Sequence, residues 1–412
     1  MFSALVSVRR RLTVAAAALV ITVGSATTAA AQPSPQAELD AVHDAGMPGI
    51  LASVRDGAHT WTGSAGVADM RTGRPLHPNS HHRVGSITKT FTAVAVLQQV
   101  GAGRIELDAP VGDYLPELLP GERGDTVTVR MLLNHTSGIG DYDTILFDSL
   151  LRGSLADLEA NRWRYRRAEE IATIGLEAPP TNAPGERWSY SNTNYVLTGL
   201  LLEKVTGHDA EDYITERIIR PLRLRNTYFP GGLPFILGPH GKAYEALYRM
   251  PEQPGEYSVY NMTWAGTAGA LISTTEDLNT FYRALLSGRL LAPDLLAQMK
   301  RTVPILDARG NEIGRYGLGL RRIDAGACGT LWGHDGVVFG MSTLSLHSAD
   351  GSRQLTYGLN MTKYQQLGPD GVPVPGPIDA ALGRVLEKTM CRQAPGQQVS
   401  VRELRTLTAA TP

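Results

Sequence analysis

Near each end of the chain, Asp-Gly interrupts a run of alternating polar and apolar residues. One step is Asp56-Gly57 within "GILASVRDGAHTWTGSAGVA" (49–68), the other Asp350-Gly351 within "STLSLHSADGSRQLTYGLN" (342–360). Asp-Gly accepts the backbone that short hairpin turns require, so each run predicts two antiparallel strands. The sequence between them has another texture. From about Asp113 to Arg249 it reads as helical stretches separated by Pro and Gly loops, the clearest being "ADLEANRWRYRRAEEIATIGL" and "SNTNYVLTGLLLEKVTG". Strands at both ends and helices in the middle imply one sheet built from distant segments, with an inserted helical lobe. The expected class is therefore α/β of the α+β kind, an antiparallel sheet flanked by helices. Residues 32–112 and 250–393 would form a discontinuous α/β lobe, 113–249 an all-helical lobe, and 394–412 a C-terminal tail. "IDAALGRVLEKTMC" (378–391) should close the lobe as an amphipathic helix.

Residues 1–31 read as a signal peptide. Arg9, Arg10 and Arg11 precede the apolar run "TVAAAALVITVGSATTAAA", and Ala29 and Ala31 fit a small-x-small cleavage site. The mature chain is expected to be secreted, with no membrane attachment after cleavage, and to be a monomer. The 39 basic and 40 acidic residues leave a formal charge of −1, without the basic surplus of a nucleic-acid binder. The two cysteines, Cys328 and Cys391, form an even pair that predicts one disulfide in an oxidising compartment. No Cys/His cluster or phosphate loop is present, so neither a metal nor an organic cofactor is expected.

The chemistry-bearing stretch is "RVGSITKTFTAVAVLQQVGAGRI", an apolar run that predicts a buried helix ending near Gly101. It sets Ser86 three residues before Lys89, which on a helix puts amine and hydroxyl on one face. A desolvated lysine loses basicity and can accept the serine's proton. Taken alone, the same four residues also fit a serine N-cap beside a solvated lysine. Two further signals are each unique in the chain: Tyr190-x-Asn192 and His334-x-Gly336. A tyrosine held near the serine can shuttle its proton. Asn192 can hold the lysine or a substrate amide. His334 can polarise the tyrosine or relay the proton, and Gly336 can admit a substrate close to the backbone.

Ser-x-x-Lys, Tyr-x-Asn and His-x-Gly in this order resemble the penicillin-recognising serine hydrolases, in which Ser-x-x-Lys carries the nucleophile. The likeness is to secreted D-alanyl-D-alanine carboxypeptidases of the class C β-lactamase-like branch. It runs from "GVADMRTGRPL" to Cys391, through "MLLNHTSGI", "TNAPGERWSYSNTNYVLTGLLLEKVTGH", "GTAGALISTTEDL" and "YGLGLRR". The resemblance implies a β-lactamase/transpeptidase-like fold and a cleft between the lobes. It implies Ser86 as the acylated nucleophile, Lys89 as its activator, Tyr190 as proton shuttle, Asn192 as the substrate-positioning amide and His334 as electrostatic relay. The oxyanion would lie between the N–H groups of Ser86 and Val337. Trp264 would wall the cleft, and Arg321 matches an arginine that binds the substrate's terminal carboxylate. His135, in "NHTSG", is read as structural. The implied partners are a small peptide, amide or ester substrate, β-lactams among them, and no nucleic acid.

This sequence departs from the pattern at two positions. The carboxypeptidases carry threonines where Asp335 and Val337 stand, and those hydroxyls help hold the carboxylate. An ionised Asp335 there would repel a carboxylate by about 1 kcal/mol if solvated. An esterase, D-amino-acid amidase, D-aminopeptidase or β-lactamase is thus the alternative to a carboxypeptidase, unless Asp335 faces away from the cleft. A non-catalytic penicillin-sensing or wall-binding domain is the remote alternative.

Overall fold

The computed structural model describes residues 34–249, 253–307, 309–369 and 371–391. The expected signal peptide, 1–31, and the expected tail, 394–412, lie outside the described residues.

Both Asp-Gly runs form hairpins. The first gives β1 (Gly49–Asp56) and β2 (His59–Asp69), followed by the short β3 (Arg74–Pro75). From the C-terminal part come β4 (Val303–Leu306), β5 (Glu312–Tyr316), β6 (Arg321–Asp324), β7 (Thr330–Val338), β8 (Met341–Ser348) and β9 (Arg353–Leu359). These nine strands form one antiparallel sheet in the order β3-β2-β1-β9-β8-β7-β6-β5-β4. The two hairpins meet where β1 pairs with β9, Ala52 opposite Tyr357 and Val54 opposite Leu355.

Side chains alternate across the sheet, and the two faces differ in chemistry. On one face Ile50, Ala52, Leu344, Leu346, Leu355 and Leu359 pack beneath α1 (Gln36–Asp44) and the closing helix, Pro377–Met390. The other face presents Ser53, Ser345, His347, Gln354 and Thr356, all buried, towards the helix Thr275–Leu286. The disulfide Cys328–Cys391 joins the β6–β7 corner to the end of the closing helix.

The apolar run after Ser86 forms α2 (Thr88–Gly101), buried on almost every side. Phe91, Val94, Val96 and Leu97 are fully buried, worth about 1.5–3 kcal/mol each relative to exposure. Asn192–Thr206 forms α3, which packs on α2 and ends at Gly207 in the left-handed conformation that glycine favours. The segment expected as one helix over 156–176 is two, Ala156–Asn161 and Ala168–Glu177. Tertiary contacts break it: Arg162 Nε donates to Val259 O at 2.7 Å, and the Arg166 N–H to Thr263 Oγ1 at 2.9 Å.

Candidate active site

The turn Gly85–Ile87 leads into α2, and glycine is required at its start. Gly85 has φ +52°, and a Cβ on it would lie 2.8 Å from Val337 N. On β7 the counterpart is Gly336, where a Cβ would lie 1.9 Å from Val84 O and 2.9 Å from Ser86 N. Two glycines thus let the backbone of β7 press against the turn, which brings the Ser86 and Val337 amides together. The approach that Gly336 permits is therefore with the protein's own chain, a correction to the expected close approach of substrate.

Ser86 does not cap α2 with its side chain. Its Oγ accepts hydrogen bonds from Lys89 Nζ at 2.9 Å and Tyr190 OH at 2.6 Å. Lys89, fully buried, also donates to Asn192 Oδ1 at 2.6 Å and to Ala268 O at 2.7 Å. Burial lowers its ammonium to about 7, although Asp141, Asp143 and Asp335 pull the other way. Burial also raises the Tyr190 phenol well above its ordinary value, so it stands as a neutral donor.

Tyr190 and Asn192 sit at the start of α3, where Asp141 takes the place of a cap. Its Oδ2 accepts from the Asn192 backbone N–H and from Asn192 Nδ2, both at 3.1 Å. Asn192 Nδ2 also donates to Asp143 Oδ2 at 2.9 Å. The amide of Asn192 thereby relays between Lys89 and a pair of carboxylates. Burial, with Asp141 next to it, raises Asp143 well above the ordinary carboxylate range. Sequence reasoning missed Asp141, Asp143 and the Ala268 carbonyl. Asp141 lies in a loop, Asp143 and Ala268 in one-turn helices, Asp143–Leu146 and Gly266–Gly269, none with a motif, and a backbone acceptor leaves no trace in side-chain spacing.

His334 is placed differently from expectation. It is buried in the middle of β7. Its Nδ1 lies 2.5 Å from Asp335 O, which can only accept, so Nδ1 carries the hydrogen and Nε2 accepts from Tyr316 OH at 2.8 Å. Burial lowers His334 to about 4, which keeps it neutral. Among the described residues it has no hydrogen bond to Tyr190. The ring that touches Tyr190 is that of His135, with centroids 4.3 Å apart, and His135 also meets Tyr316 at 4.9 Å. The expected direct contact from His334 to Tyr190 is therefore not made; His135 lies between Tyr190, to which it is tilted by 31°, and Tyr316, which it meets edge-on.

The expected carboxylate-binding Arg321 is already occupied. Its guanidinium forms an ion pair and hydrogen bond with Asp335, and each residue is 7% exposed. Burial acts to raise the Asp335 carboxyl, but Arg321 and then His334 outweigh it and hold it below the usual range. Asp335 borders a separate cavity of about 100 Å³ between β7, β8 and the 362–365 segment. It does not line the Ser86 cavity, in keeping with the alternative that it faces away from the cleft, and it neutralises the arginine.

Ser86, Tyr190, Asn192, Trp264 and Val337 all line one cavity of about 320 Å³. Trp264 walls it as expected, with Phe147 edge-on at 4.9 Å. Such an arrangement can hold a carbonyl between two backbone N–H donors, present it to a hydroxyl, and move that hydroxyl's proton through an amine and a phenol. Among the described residues no cluster of His, Cys, Asp and Glu is arranged to hold a metal.

Comparison with known proteins gives a consistent picture. The Beta-lactamase family model matches residues 35–356. Penicillin-binding protein 4* of Bacillus subtilis (strain 168) is 28% identical over 334 residues, 77% of this chain and 70% of that protein. Esterase EstB of Burkholderia gladioli is 32% identical over 216 residues, 48% of this chain and 52% of the esterase, so the match spans about half of it. The crystal structure of a D-stereospecific amidohydrolase from Streptomyces sp. superposes with a TM-score of 0.75 at 37% identity, covering 88% of this chain and 100% of that one.

Proposed function

The chain belongs to the beta-lactamase family of serine hydrolases, and on that premise we propose that Ser86 is its acylated nucleophile. One observation carries the reading: Lys89 Nζ and Tyr190 OH converge on Ser86 Oγ, at 2.9 and 2.6 Å, on the wall of a cavity. Lys89, neutral above about pH 7, takes the proton as Oγ bonds to the substrate carbonyl carbon. The Ser86 and Val337 N–H groups hold the oxyanion, a contribution of about 2.7–4 kcal/mol per donor in comparable sites. Tyr190 gives its proton to the leaving nitrogen or oxygen as the scissile bond breaks, and is reprotonated through Lys89. Water then adds to the acyl carbon, and Oγ recovers its proton as the acid departs.

For the substrate, the favoured class is an amide, peptide or ester whose leaving group carries no free carboxylate. The Arg321–Asp335 pair supports this, since a guanidinium neutralised by an internal carboxylate offers a second carboxylate little. The amidohydrolase and esterase likenesses support it as well. A D-alanyl-D-alanine carboxypeptidase acting on peptidoglycan-like peptides is the second reading, favoured by the likeness to a penicillin-binding protein. Export fits either reading: the Arg9–Arg11 and apolar N-terminal pattern supports a secreted chain, as does the disulfide.

Kinetics on three compounds test the choice: a D-Ala-D-Ala peptide, its C-terminal amide and a simple ester. The amide or ester should exceed the free carboxylate in kcat/KM by about tenfold or more, the order of one lost ionic contact. Asp335→Thr frees Arg321 and should move the ratio towards the carboxylate. A wild type that prefers the free carboxylate would restore the carboxypeptidase reading.

A further inference from the structure

Six non-glycine residues among those described have positive φ, and four of them belong to two touching segments beside the Ser86 cavity. Leu247, Tyr248 and Arg249 stand in succession at +42°, +57° and +61°, and Lys363 stands at +48°. A side chain makes this conformation costly, most of all in three residues running, and it persists only where the surroundings fix it. The Tyr248 N–H donates to Lys363 O at 2.6 Å, the Ala246 N–H to Thr362 O at 3.0 Å, and Arg249 Nε to Tyr364 O at 3.0 Å.

One carboxylate ties the two segments together. Glu245, fully buried, accepts the Leu247 N–H on Oε1 at 3.0 Å, and Thr362 Oγ1 and Lys363 Nζ on Oε2 at 2.9 and 3.2 Å. Both oxygens are used, and Lys363 supplies the counter-charge that a buried carboxylate needs. The anchoring presents two side chains to the site. Tyr248 and Lys363 line the Ser86 cavity of about 320 Å³ and also the smaller one of about 100 Å³, and with Val337 they are the three residues common to both. Lys363 is committed to Glu245, which leaves the half-buried Tyr248 ring as the largest part of this partition. Behind it the smaller cavity carries Leu344, Leu359, Pro373 and Leu382 on its walls, and its carboxylate, Asp335, is neutralised by Arg321. That lining suits an alkyl group, yet Ser86 lies on the other side of the partition.

We infer that Tyr248 is a specificity-determining residue: held by Glu245, it divides the two cavities and limits the length of the chain that can lie beside Ser86 on one side of the scissile bond. This rests on the reading of Ser86 as nucleophile and adds to it a substrate class, amides and esters whose flanking group on that side is short. Backbone relaxed to negative φ would re-aim the ring, so the costly conformation and the partition are one feature. Glu245 lines neither cavity and acts only through the two residues it holds, which makes it a positioning residue.

Two pairs of esters test this: p-nitrophenyl butyrate and octanoate, which differ in the acyl chain, and ethyl and hexyl butyrate, which differ in the alcohol chain. Tyr248→Ala joins the cavities and should raise the long-to-short ratio of kcat/KM in one pair by about fifteenfold, the effect of two newly buried methylenes at about fourfold each. The pair that responds identifies the side of the scissile bond that faces Tyr248. Ratios unchanged in both pairs would overturn the inference. Glu245→Ala should move the same ratio in the same direction, and Glu245→Gln, which keeps an acceptor for the Leu247 N–H, should restore most of the wild-type value. A lower melting temperature in Glu245→Ala with the wild-type ratio would make Glu245 structural only and overturn its assignment. Tyr248→Ala leaves the Glu245 anchor intact, so it decides the partition even where Glu245→Ala does not fold. Failure of the nucleophile reading is distinct: wild type would then hydrolyse none of the four esters, while a crystal structure of Tyr248→Ala should still show one joined cavity. Two cavities that stay separate in that structure would overturn the partition.

Discussion

Two buried clusters in this protein set a serine beside a nitrogen base, and only one of them is built to react. Under the helix Thr275–Leu286, Ser345 Oγ lies 2.9 Å from His347 Nε2 and 2.6 Å from Thr356 Oγ1. Gln354 Nε2 donates both to Asn279 O at 2.7 Å and to His347 Nδ1 at 3.0 Å. His347 must therefore carry its hydrogen on Nε2 and donate it to the serine, so it cannot accept the serine's proton. Thr356 donates onward to Asn279 Oδ1 at 2.8 Å, which closes the chain. In the other cluster, Ser86 meets an amine lowered to about 7, borders a cavity, and has a carboxylate nearby that is half unused. Contact between serine and base is common to both. The base's freedom to shed its proton near pH 7, access to a cavity and an unfinished polar shell separate them.

Exchange of the two serines tests that contrast most severely. Ser86→Ala should lower kcat by about a millionfold, as loss of a nucleophile does in serine hydrolases, and remove labelling by fluorescent penicillin. Ser345→Ala should label like wild type and lose about 1–2 kcal/mol of unfolding free energy in denaturant titration. Labelling that survives in Ser86→Ala would break the comparison.

Proton inventory sharpens it next. With Lys89 as acceptor, its protonated form is inactive, so kcat/KM should rise about tenfold per pH unit and level off above about 7. An acid limb centred near 4 would instead point to His334, which burial lowers to that value.

The last test concerns the pH dependence of stability. Burial lowers His347 from 6.5 to about 3, so between those values the unfolded chain binds the proton that the folded one refuses. Its contribution is complete above pH 6.5 and falls away as pH drops towards 3, at up to about 1.4 kcal/mol per pH unit. His347→Gln should reduce the acid slope of unfolding free energy by about that amount, measured by denaturant titration at several pH values.

Local chemistry made much of this legible in the sequence. Asp-Gly steps marked both hairpins, and the even apolar coat of α2 marked a buried helix. Ser86, Lys89, Tyr190 and Asn192 stood out because each belongs to a short pattern that occurs once. The Arg321–Asp335 pair was hidden because it depends on register. Arg321 stands opposite Gly333, and Asp335, two residues further along β7, projects on the same face as Gly333. Knowledge of that pairing would have revealed the ion pair. The orphan oxygen of Asp143 was hidden for a different reason, since an acidic residue that opens a one-turn helix carries no periodic signal. The break at Arg162–Arg167 escaped because distant acceptors, Val259 O and Thr263 Oγ1, outweighed local helix preference.

The close approach of Gly85 and Gly336 has a temporal consequence. The two amides that would receive an oxyanion come from opposite ends of the sequence, and they become neighbours only when β7 docks on the turn before α2. A nascent chain still being synthesised, or a fragment cut anywhere between them and separated, would carry a serine with half a cradle. Turnover would therefore count finished molecules, and the reactive oxygen would stay chemically silent throughout synthesis.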